Sequence, residues 1–428
     1  MVSSPSMTSA DAGHVRRTID AVWRIESTKL IAGLARMVRD VGLAEELAQD
    51  AFLAAVEHWT TGGVPDKPGA WLMATAKRRA IDRMRQHQLH ARKQTQIDHD
   101  DDWQPALAGA DPEAAADDVI GDDVLRLVFT ACHPVLSIDA QVALTLRLLG
   151  GLTTEEIARA CLVPEPTIQQ RIVRAKRTLS EAQVPFETPG REELPERLAT
   201  VLGVVYLIFN EGYAATSGAE WTRPALCDEA LRLGRILVAL APLEPEVHGL
   251  LALMELQASR LNARTAPDGA PILLLEQDRA RWDHLYIQRG LASLRNAERL
   301  SGAEGPYALQ AAIAACHARA PTAADTDWKR IAALYDVLAA RMGSPVVELN
   351  RAVAYAMADG PQAGLDLVDA IVDARELREY HLLPSVRGDL LRKLGRHDEA
   401  RAEFERAAAL ARNEREATLL RERAAATH

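Results

Sequence analysis

Apolar residues recur at helical spacing through most of this 428-residue chain, and that periodicity limits the folds open to it. Aromatic residues, which strands favour, are only 4% of the sequence, whereas the helix formers Ala and Leu are abundant. Hydrophobic residues make up 48%, enough to bury substantial cores. The sequence therefore predicts an all-α protein, and its length allows about two to four domains.

Two polar stretches divide the chain. No Lys or Arg occurs from Gln94 to Leu125, where acidic residues surround Pro105 and Pro112, a composition typical of a solvated linker. A second stretch, residues 184–195, has three prolines in twelve residues. These breaks predict a helical domain at residues 15–96, an acidic linker at 97–121, a second domain at 122–182 and a long helical part at 196–428.

Charge and cysteine usage exclude several classes of protein. A formal net charge of -10 argues against a generally basic nucleic-acid coat, but not against a local basic patch. The four cysteines are scattered without a CxxC pair, which favours a reduced setting over a disulfide framework or a zinc knuckle. No signal-peptide core is present, and the longest apolar run, residues 198–209, is shorter than the about 20 residues that span a bilayer. We therefore expect a soluble, cytoplasmic protein.

Residues 42–59 are the first segment whose pattern indicates a possible function. Leu43, Leu47 and Ala51 mark one face of a predicted helix, and acidic and amide residues lie on another. An ordinary amphipathic helix with a solvated acidic face explains this pattern. The alternative is an acidic docking face for a basic partner.

Residues 65–93 predict a basic helix within this acidic chain. Met73, Ala76, Ala80 and Met84 define its core stripe, and Lys and Arg crowd the rest of its surface. Phosphates are bound by mobile cations presented together on one surface, so this helix is a candidate for nucleic-acid binding. Trp71, at the helix start, could stack on a base or anchor the helix in the core.

Residues 151–179 predict a helix-turn-helix. Thr153 or Thr154 can cap a first helix, a short turn follows, and Pro164 and Glu165 open a second helix. The second helix carries an apolar stripe of Ile168, Ile172, Ala175 and Leu179. Its opposite face offers amide and guanidinium groups, which suit a DNA major groove.

Together these segments resemble the bacterial extracytoplasmic-function (ECF) RNA polymerase sigma factors. The resemblance rests on three segments in order: AEELAQDAFLAAVEHW, WLMATAKRRAIDRMR and GLTTEEIARACLVPEPTIQQRIVRAKRTL. The acidic linker lies between the second and the third. It implies a sigma region 2 domain, a sigma region 4 helix-turn-helix domain, and partners in promoter DNA and in the β′ clamp and β flap of core RNA polymerase. Arg78 stands where the family usually has Asn, and Pro166 where it often has Gly.

The resemblance also assigns roles to individual residues. Polymerase-binding residues are expected at Glu45, Glu46, Gln49, Asp50 and Phe52. Residues for the minus-ten promoter element are expected at Trp71, Lys77, Arg78, Arg79, Asp82, Arg83 and Arg85, and those for the minus-thirty-five element at Thr167, Gln169, Gln170, Arg171 and Arg174.

The C-terminal part resembles the long helical extension of one sigma-factor subgroup, in stretches such as YLIFNEGYAATSG and SPVVELNRAVAYA. Ala354 and Gly388 are 34 residues apart, the tetratricopeptide period. Small residues at Gly388, Ala400 and Ala407 would let paired helices pack closely. We expect a helical extension with tetratricopeptide-like repeats towards its end, which controls the sigma core by packing on it or by contacting polymerase or another protein.

Polar and aromatic residues among apolar neighbours leave two interpretations of the extension. They could line a pocket for a small ligand, or they could form hydrogen bonds and ion pairs that hold helices together. The sequence has no GxSxG, Walker A, HExxH or GxGxxG motif, so we expect no enzyme, cofactor or metal. The alternative to a sigma factor is a conventional helix-turn-helix regulator with a helical sensor domain. The residues that the ligand interpretation depends on are Asn210, Glu211, Tyr213, Glu229, Arg232, Arg260, Arg264, Gln277, Asp278, Arg279 and Trp282.

Overall fold

The computed structural model describes residues 9–94, 114–161, 163–214, 222–267, 270–300 and 304–427. These residues form eighteen α-helices with four short 3₁₀ turns, and they contain no β-strand longer than a single bridge, such as that between Thr265 and Pro271. The all-α prediction is confirmed. Within the same ranges, no helix is both long enough and apolar enough to cross a membrane.

The chain divides into two compact units, Met1–Val204 and Val205–His428. Unit 1 contains α1 (Ser9–Val38), α2 (Val41–Gly62), α3 (Pro68–Gln94), α4 (Ala114–Ala131), α5 (Ile138–Leu148), α6 (Thr154–Cys161) and α7 (Glu165–Glu181). The boundary between the units falls within α8 (Leu194–Tyr213).

Unit 1 is built from two sets of helices. The first three helices pack against one another, and α4 to α7 form a second group. The first group is close-packed because α2 presents Ala44, Ala48 and Ala51 to its neighbours, each with no exposed surface. The two groups meet where α1 packs on α4 and α5, and where α2 approaches α7.

Two boundaries differ from the sequence prediction. Helix α4 begins at Ala114, inside the predicted linker, because three consecutive alanines, the best helix formers, start there. The rest of that linker, residues 97–113, lies outside the described residues. At the other boundary, unit 1 continues past residue 182, because Arg197 of α8 donates to the Phe129 carbonyl at 2.8 Å and lies 6.0 Å from the Phe129 ring centroid.

Unit 2 is a succession of helices in which neighbours along the chain pack together. Its helices are α9 (Pro224–Leu240), α10 (Pro245–Ala258), α11 (His284–Arg299), α12 (Pro306–Arg319), α13 (Trp328–Met342), α14 (Pro345–Asp359), α15 (Pro361–Ile371), α16 (Leu382–Lys393), α17 (His397–Leu410) and α18 (Glu414–Ala425).

The small residues predicted at the helix seam of this unit are buried. Gly388 of α16 lies against α17, where Ala400, Phe404 and Ala407 have no exposed surface. A Cβ atom at Gly388 would come within 3.1 Å of the Phe404 ring and 3.2 Å of the Ala400 carbonyl oxygen. Close helix packing here therefore depends on the missing side chain, as expected, while the tetratricopeptide label stays a prediction.

Candidate nucleic-acid and polymerase interfaces

Helix α3 separates an apolar face from a cationic one. Leu72, Ala76 and Ala80 are buried against the other helices of unit 1, with Met73 and Met84 partly covered. The remaining face carries the predicted minus-ten residues: Lys77, Arg78, Asp82, Arg83 and Arg85 are exposed, and Arg79 is half-buried. This face can present several cations to a phosphate backbone at once.

Trp71 holds the start of α3 against α2. Its ring centroid lies 5.3 Å from that of Trp59, with the planes at 64°, and 6.0 Å from the ring of His58. Trp59 is 3% exposed, so this edge-to-face pair belongs to the core. Trp71 itself stays half-buried, which leaves part of its ring at the surface.

Glu45 does not lie on an exposed acidic face, and this corrects the sequence prediction. Its side chain is 2% exposed, and its Oε1 accepts hydrogen bonds from Arg147 Nε and Gln49 Nε2, each at 2.6 Å. Its Oε2 forms an ion pair with Lys176 of α7. The carboxylate can be buried because two cations and an amide surround it, since an unpaired buried charge is very costly.

The other predicted polymerase contacts are accessible. Glu46 is exposed, and Gln49, Asp50 and Phe52 are half-buried. Glu46 lies 3.9 Å from Arg83 and Asp50 lies 3.8 Å from Arg79. Because all four of these charged side chains are about half exposed, such long ion pairs contribute little stability and can exchange for a partner's charges.

Phe52 contacts another aromatic residue, Trp23 of α1. The ring centroids are 4.7 Å apart and the planes are tilted by 48°. This pair places an aromatic surface beside the acidic residues of α2, and aromatic residues are enriched at protein interfaces.

Helices α6 and α7 form the predicted helix-turn-helix. Thr153 and Glu156 make a reciprocal capping box: the Thr153 hydroxyl accepts from Glu156 N–H at 3.1 Å, and Glu156 Oε2 accepts from Thr153 N–H at 2.8 Å. Along α7, Ile168, Ile172, Ala175 and Leu179 are all buried, as the stripe predicted. The opposite face exposes Thr167, Gln169, Gln170 and Arg174.

Arg171 departs from that exposed face. It is half-buried and pairs with Asp139 of α5 at 3.0 Å. Asp139 is well exposed, so the pair can open towards a phosphate, but in this structure Arg171 points to α5. Periodicity along α7 could not reveal this contact because Asp139 belongs to another helix.

Sequence reasoning missed three charged residues of unit 1. Arg147 and Lys176 enclose Glu45, and nothing in their local pattern distinguished them from surface cations. Asp123, read as part of an acidic stretch, is 2% exposed and pairs with Arg126 at 2.7 Å and Arg36 at 3.3 Å. The position of Asp123 at the start of the apolar helical run VLRLVF was the one available signal.

Matches to protein-family models agree with the division of the chain into a three-helix group, a helix-turn-helix group and unit 2. Residues 26–90 match Sigma-70 region 2, and residues 126–179 match Sigma-70 region 4. Residues 197–298 match a family of unknown function, DUF6596. The first two matches cover α3 and the helix-turn-helix, and the third begins in α8.

Similar proteins extend these matches. The chain is 43% identical over 397 residues to an uncharacterized protein, R00370, of Rhizobium meliloti (strain 1021), covering 91% of each chain. It is 30% identical over 156 residues to the ECF RNA polymerase sigma factor SigK of Mycobacterium ulcerans (strain Agy99), covering 36% of this chain and 78% of that protein. It is 27% identical over 166 residues to the probable ECF RNA polymerase sigma factor SigI of Mycobacterium tuberculosis (strain CDC 1551 / Oshkosh), covering 39% of this chain and 56% of that protein.

A three-helix domain with a basic helix, followed by a helix-turn-helix domain, is the arrangement of a transcription initiation factor. With the matches to regions 2 and 4 and to SigK, the chain belongs to the family of ECF RNA polymerase sigma factors. A conventional helix-turn-helix regulator does not account for the region 2 match.

Proposed function

We propose that this sigma factor docks on the β′ clamp of core RNA polymerase through α2. The exposed Glu46 and the half-buried Asp50 and Gln49 supply charge and hydrogen bonds, and Phe52 supplies an adjacent aromatic surface. Their ion pairs with α3 are long and about half exposed, so a basic partner can replace them at little cost.

Glu45 would add to this surface only after a rearrangement. Arg147 and Lys176 cover its carboxylate, so a polymerase residue cannot reach it while α7 lies on α2. We therefore propose that docking through the whole acidic face requires α7 to leave α2. The same separation would free α7 for the β flap and for DNA.

The proposed DNA contacts divide between two helices. The cationic face of α3 suits the phosphates and bases of the minus-ten element, and α7 suits the major groove of the minus-thirty-five element. The observation that carries this proposal is the exposed face of α7, where Thr167, Gln169, Gln170 and Arg174 lie opposite a fully buried apolar stripe.

Unit 2 is proposed to regulate the sigma core. It makes up about half of the chain and forms a compact unit of its own, which promoter recognition does not require. Stacked helices form extended surfaces for protein partners, so a regulatory protein is the expected class of ligand for its outer face.

The test compares two pairs of substitutions during transcription by core polymerase in vitro. Gln170→Ala with Arg174→Ala should lower output about thirty-fold or more from promoters with an intact upstream element, because each of the two lost base contacts costs about 1–3 kcal/mol. Lys77→Ala with Arg85→Ala should instead reduce promoter opening and the salt dependence of binding.

Arg177→Ala is the matched control on α7, because Arg177 is exposed and pairs with Glu181 one turn away. Its output should stay near that of the unaltered protein. If the α7 pair behaves like this control on every promoter, and the α3 pair leaves opening and footprints unchanged, the DNA assignment is wrong.

A further inference from the structure

A cavity of about 270 Å³ lies inside unit 2 between α8, α10, α12 and α13. Aromatic side chains form much of its wall, among them Tyr206, Phe209 and Tyr335. All the residues that line it belong to the described part of the chain, and none is an Asp or a Glu. It is therefore a partly apolar space without an acidic group of its own.

Arg260 brings a positive charge to this cavity. Its guanidinium donates to Tyr213 Oη at 2.7 Å and to the Gln257 side-chain oxygen, and both acceptors are neutral. The Arg260 Cζ lies 5.8 Å from the Tyr213 ring centroid and 5.7 Å from that of Trp282. Two aromatic faces thus hold the guanidinium in place without neutralising it.

Two further arginines lie on the same two rings. The Cζ of Arg264 is 3.8 Å from the Tyr213 ring centroid, and that of Arg279 is 4.8 Å from the Trp282 centroid. Arg279 donates to the carbonyls of His317 and Ala320 and to the Thr326 hydroxyl, so it caps the end of α12. Arg260, which lines the cavity, therefore belongs to a cluster of three guanidinium groups.

The charges of these groups work against one another. Burial first, and then the charge of Arg260, lowers the pKa of Arg279, and Asp325 only partly opposes this shift. Burial, then Arg260 and Arg279, lowers the pKa of His317 to about 4, so its imidazole is neutral near pH 7. A bound anion would reduce the repulsion between the positive charges of Arg260 and Arg279.

Two buried nitrogen atoms near these arginines have no hydrogen-bond partner among the described residues. His317 lines the cavity and is 9% exposed, and its Nδ1 is one of them. Trp282, at 4% exposed, contributes Nε1 as the other. Buried polar atoms are nearly always paired, and because His317 lines the cavity, its Nδ1 is available to a molecule or a water bound there.

We propose that this cavity binds a small organic anion, a carboxylate or phosphate group on an aromatic or apolar body, with Arg260 as its charge partner. The volume suits a molecule of about ten non-hydrogen atoms. The oxyanion would lie at the arginine end near His317, and its body would lie against Tyr206, Phe209 and Tyr335. Through such a site, unit 2 would respond to a small anion as well as to any protein partner.

The test is calorimetric titration of the full-length protein with benzoate, phenyl phosphate, inorganic phosphate and the neutral analogue benzamide. Benzoate or phenyl phosphate should bind at least ten-fold more tightly than benzamide. The preferred acid distinguishes a carboxylate site from a phosphate site. Tight binding of inorganic phosphate alone would mean that the site binds an anion without an attached apolar group.

Arg260→Gln should weaken binding of the preferred anion at least ten-fold. Arg295→Gln is the matched control, because Arg295 is exposed on α11, outside the cavity lining, and should bind as the unaltered protein does. Equal binding of benzamide and benzoate, equal losses in both variants, or no binding of any probe would overturn the site. If Arg260→Gln fails to fold, the anion-to-benzamide ratio of the unaltered protein still decides the matter.

The measurement needs neither polymerase nor promoter. A failure to bind would therefore leave the proposed regulatory role of unit 2 intact. Conversely, anion binding without any change in transcription would preserve the site and count against regulation through it.

Discussion

Glu45 and Glu46 are adjacent on α2 but have opposite environments. Glu45 is enclosed by Arg147 and Lys176, whereas Glu46 is exposed and only loosely paired with Arg83. A substitution at Glu45 would leave two half-buried cations without their partner, and the loss should be a substantial part of the about 3–5 kcal/mol that breaking a fully buried pair costs. Loss of polymerase binding in such a variant would therefore report damage to the fold as much as loss of a contact.

Reversing the charges of Glu46 and Asp50 tests the docking role of single residues with less effect on the fold. Glu46→Lys with Asp50→Lys should weaken binding to core polymerase while changing the free energy of unfolding by roughly 0.5 kcal/mol or less per site, because both side chains are largely accessible. A pull-down with core polymerase and a thermal melt measure the two effects.

The control is Glu57→Lys with Asp66→Lys, two exposed acids that make the same change in net charge. This control should bind polymerase normally. Equal retention of polymerase by both double variants would remove the docking role of Glu46 and Asp50.

At the scale of elements, the contact between α7 and α2 depends on one buried cluster. Lys176→Glu would place a second carboxylate beside Glu45, so α7 should separate from α2. The separation should expose the acidic face and raise affinity for core polymerase, about five-fold or more if the coupling is 1 kcal/mol or greater. Small-angle scattering would record the expansion, and a binding titration would record the affinity.

Arg177→Glu provides the comparison for this element, since Arg177 lies on α7 but is exposed. It should change neither the dimensions of the protein nor its affinity. An unfolded Lys176→Glu protein would be recognised by circular dichroism, and Arg147→Met would then be used to weaken the same cluster. Unchanged affinity in a folded, expanded variant would contradict the prediction.

The seam between α16 and α17 is a second element-scale test. Gly388→Leu should destabilise unit 2 by about 1–3 kcal/mol, because its side chain must displace Phe404 or the Ala400 carbonyl. Gly203→Leu, in α8, is the matched change, since a Cβ there meets nothing within 4 Å. Thermal unfolding should show a loss for Gly388→Leu that Gly203→Leu does not share.

At the scale of the whole molecule, the boundary between the units determines how the extension should be removed. Arg197 bonds to the Phe129 carbonyl, so a chain ending at residue 182 would lose a contact of unit 1. A chain ending at Val204 keeps it. We expect this shortened protein to direct transcription at a different level from the full-length protein, in the same assay and at equal concentration.

The direction of that difference distinguishes an inhibitory extension from an activating one. The matched comparison is the shortened protein with purified unit 2 added back separately. Equal output from the full-length and shortened proteins, in vitro and in cells, would mean that unit 2 acts on neither polymerase nor promoter binding. The regulatory proposal would then be withdrawn.

Much of this protein follows from its sequence, because the relevant interactions are local. Helix periodicity predicted the all-α class and the buried stripe of α7, and the Thr153–Glu156 capping box lies within four consecutive residues. The sequence also predicted the small residues at the α16–α17 seam, since they fit a 34-residue repeat period. The helix features depend on neighbours within a few turns of the chain, and the seam depends on a regular repeat along it.

Which charged residues became buried depends on contacts between helices that are distant in the chain. Glu45 and Arg147 are 102 positions apart, and Arg197 and Phe129 are 68 apart, so no local pattern pairs them. The arginines around the Tyr213 and Trp282 rings likewise come together only when α8, α10 and the turns before α11 are in place. A charge can be buried only where distant groups compensate for its lost hydration, and the position of those groups is set by packing between helices rather than by the sequence around it.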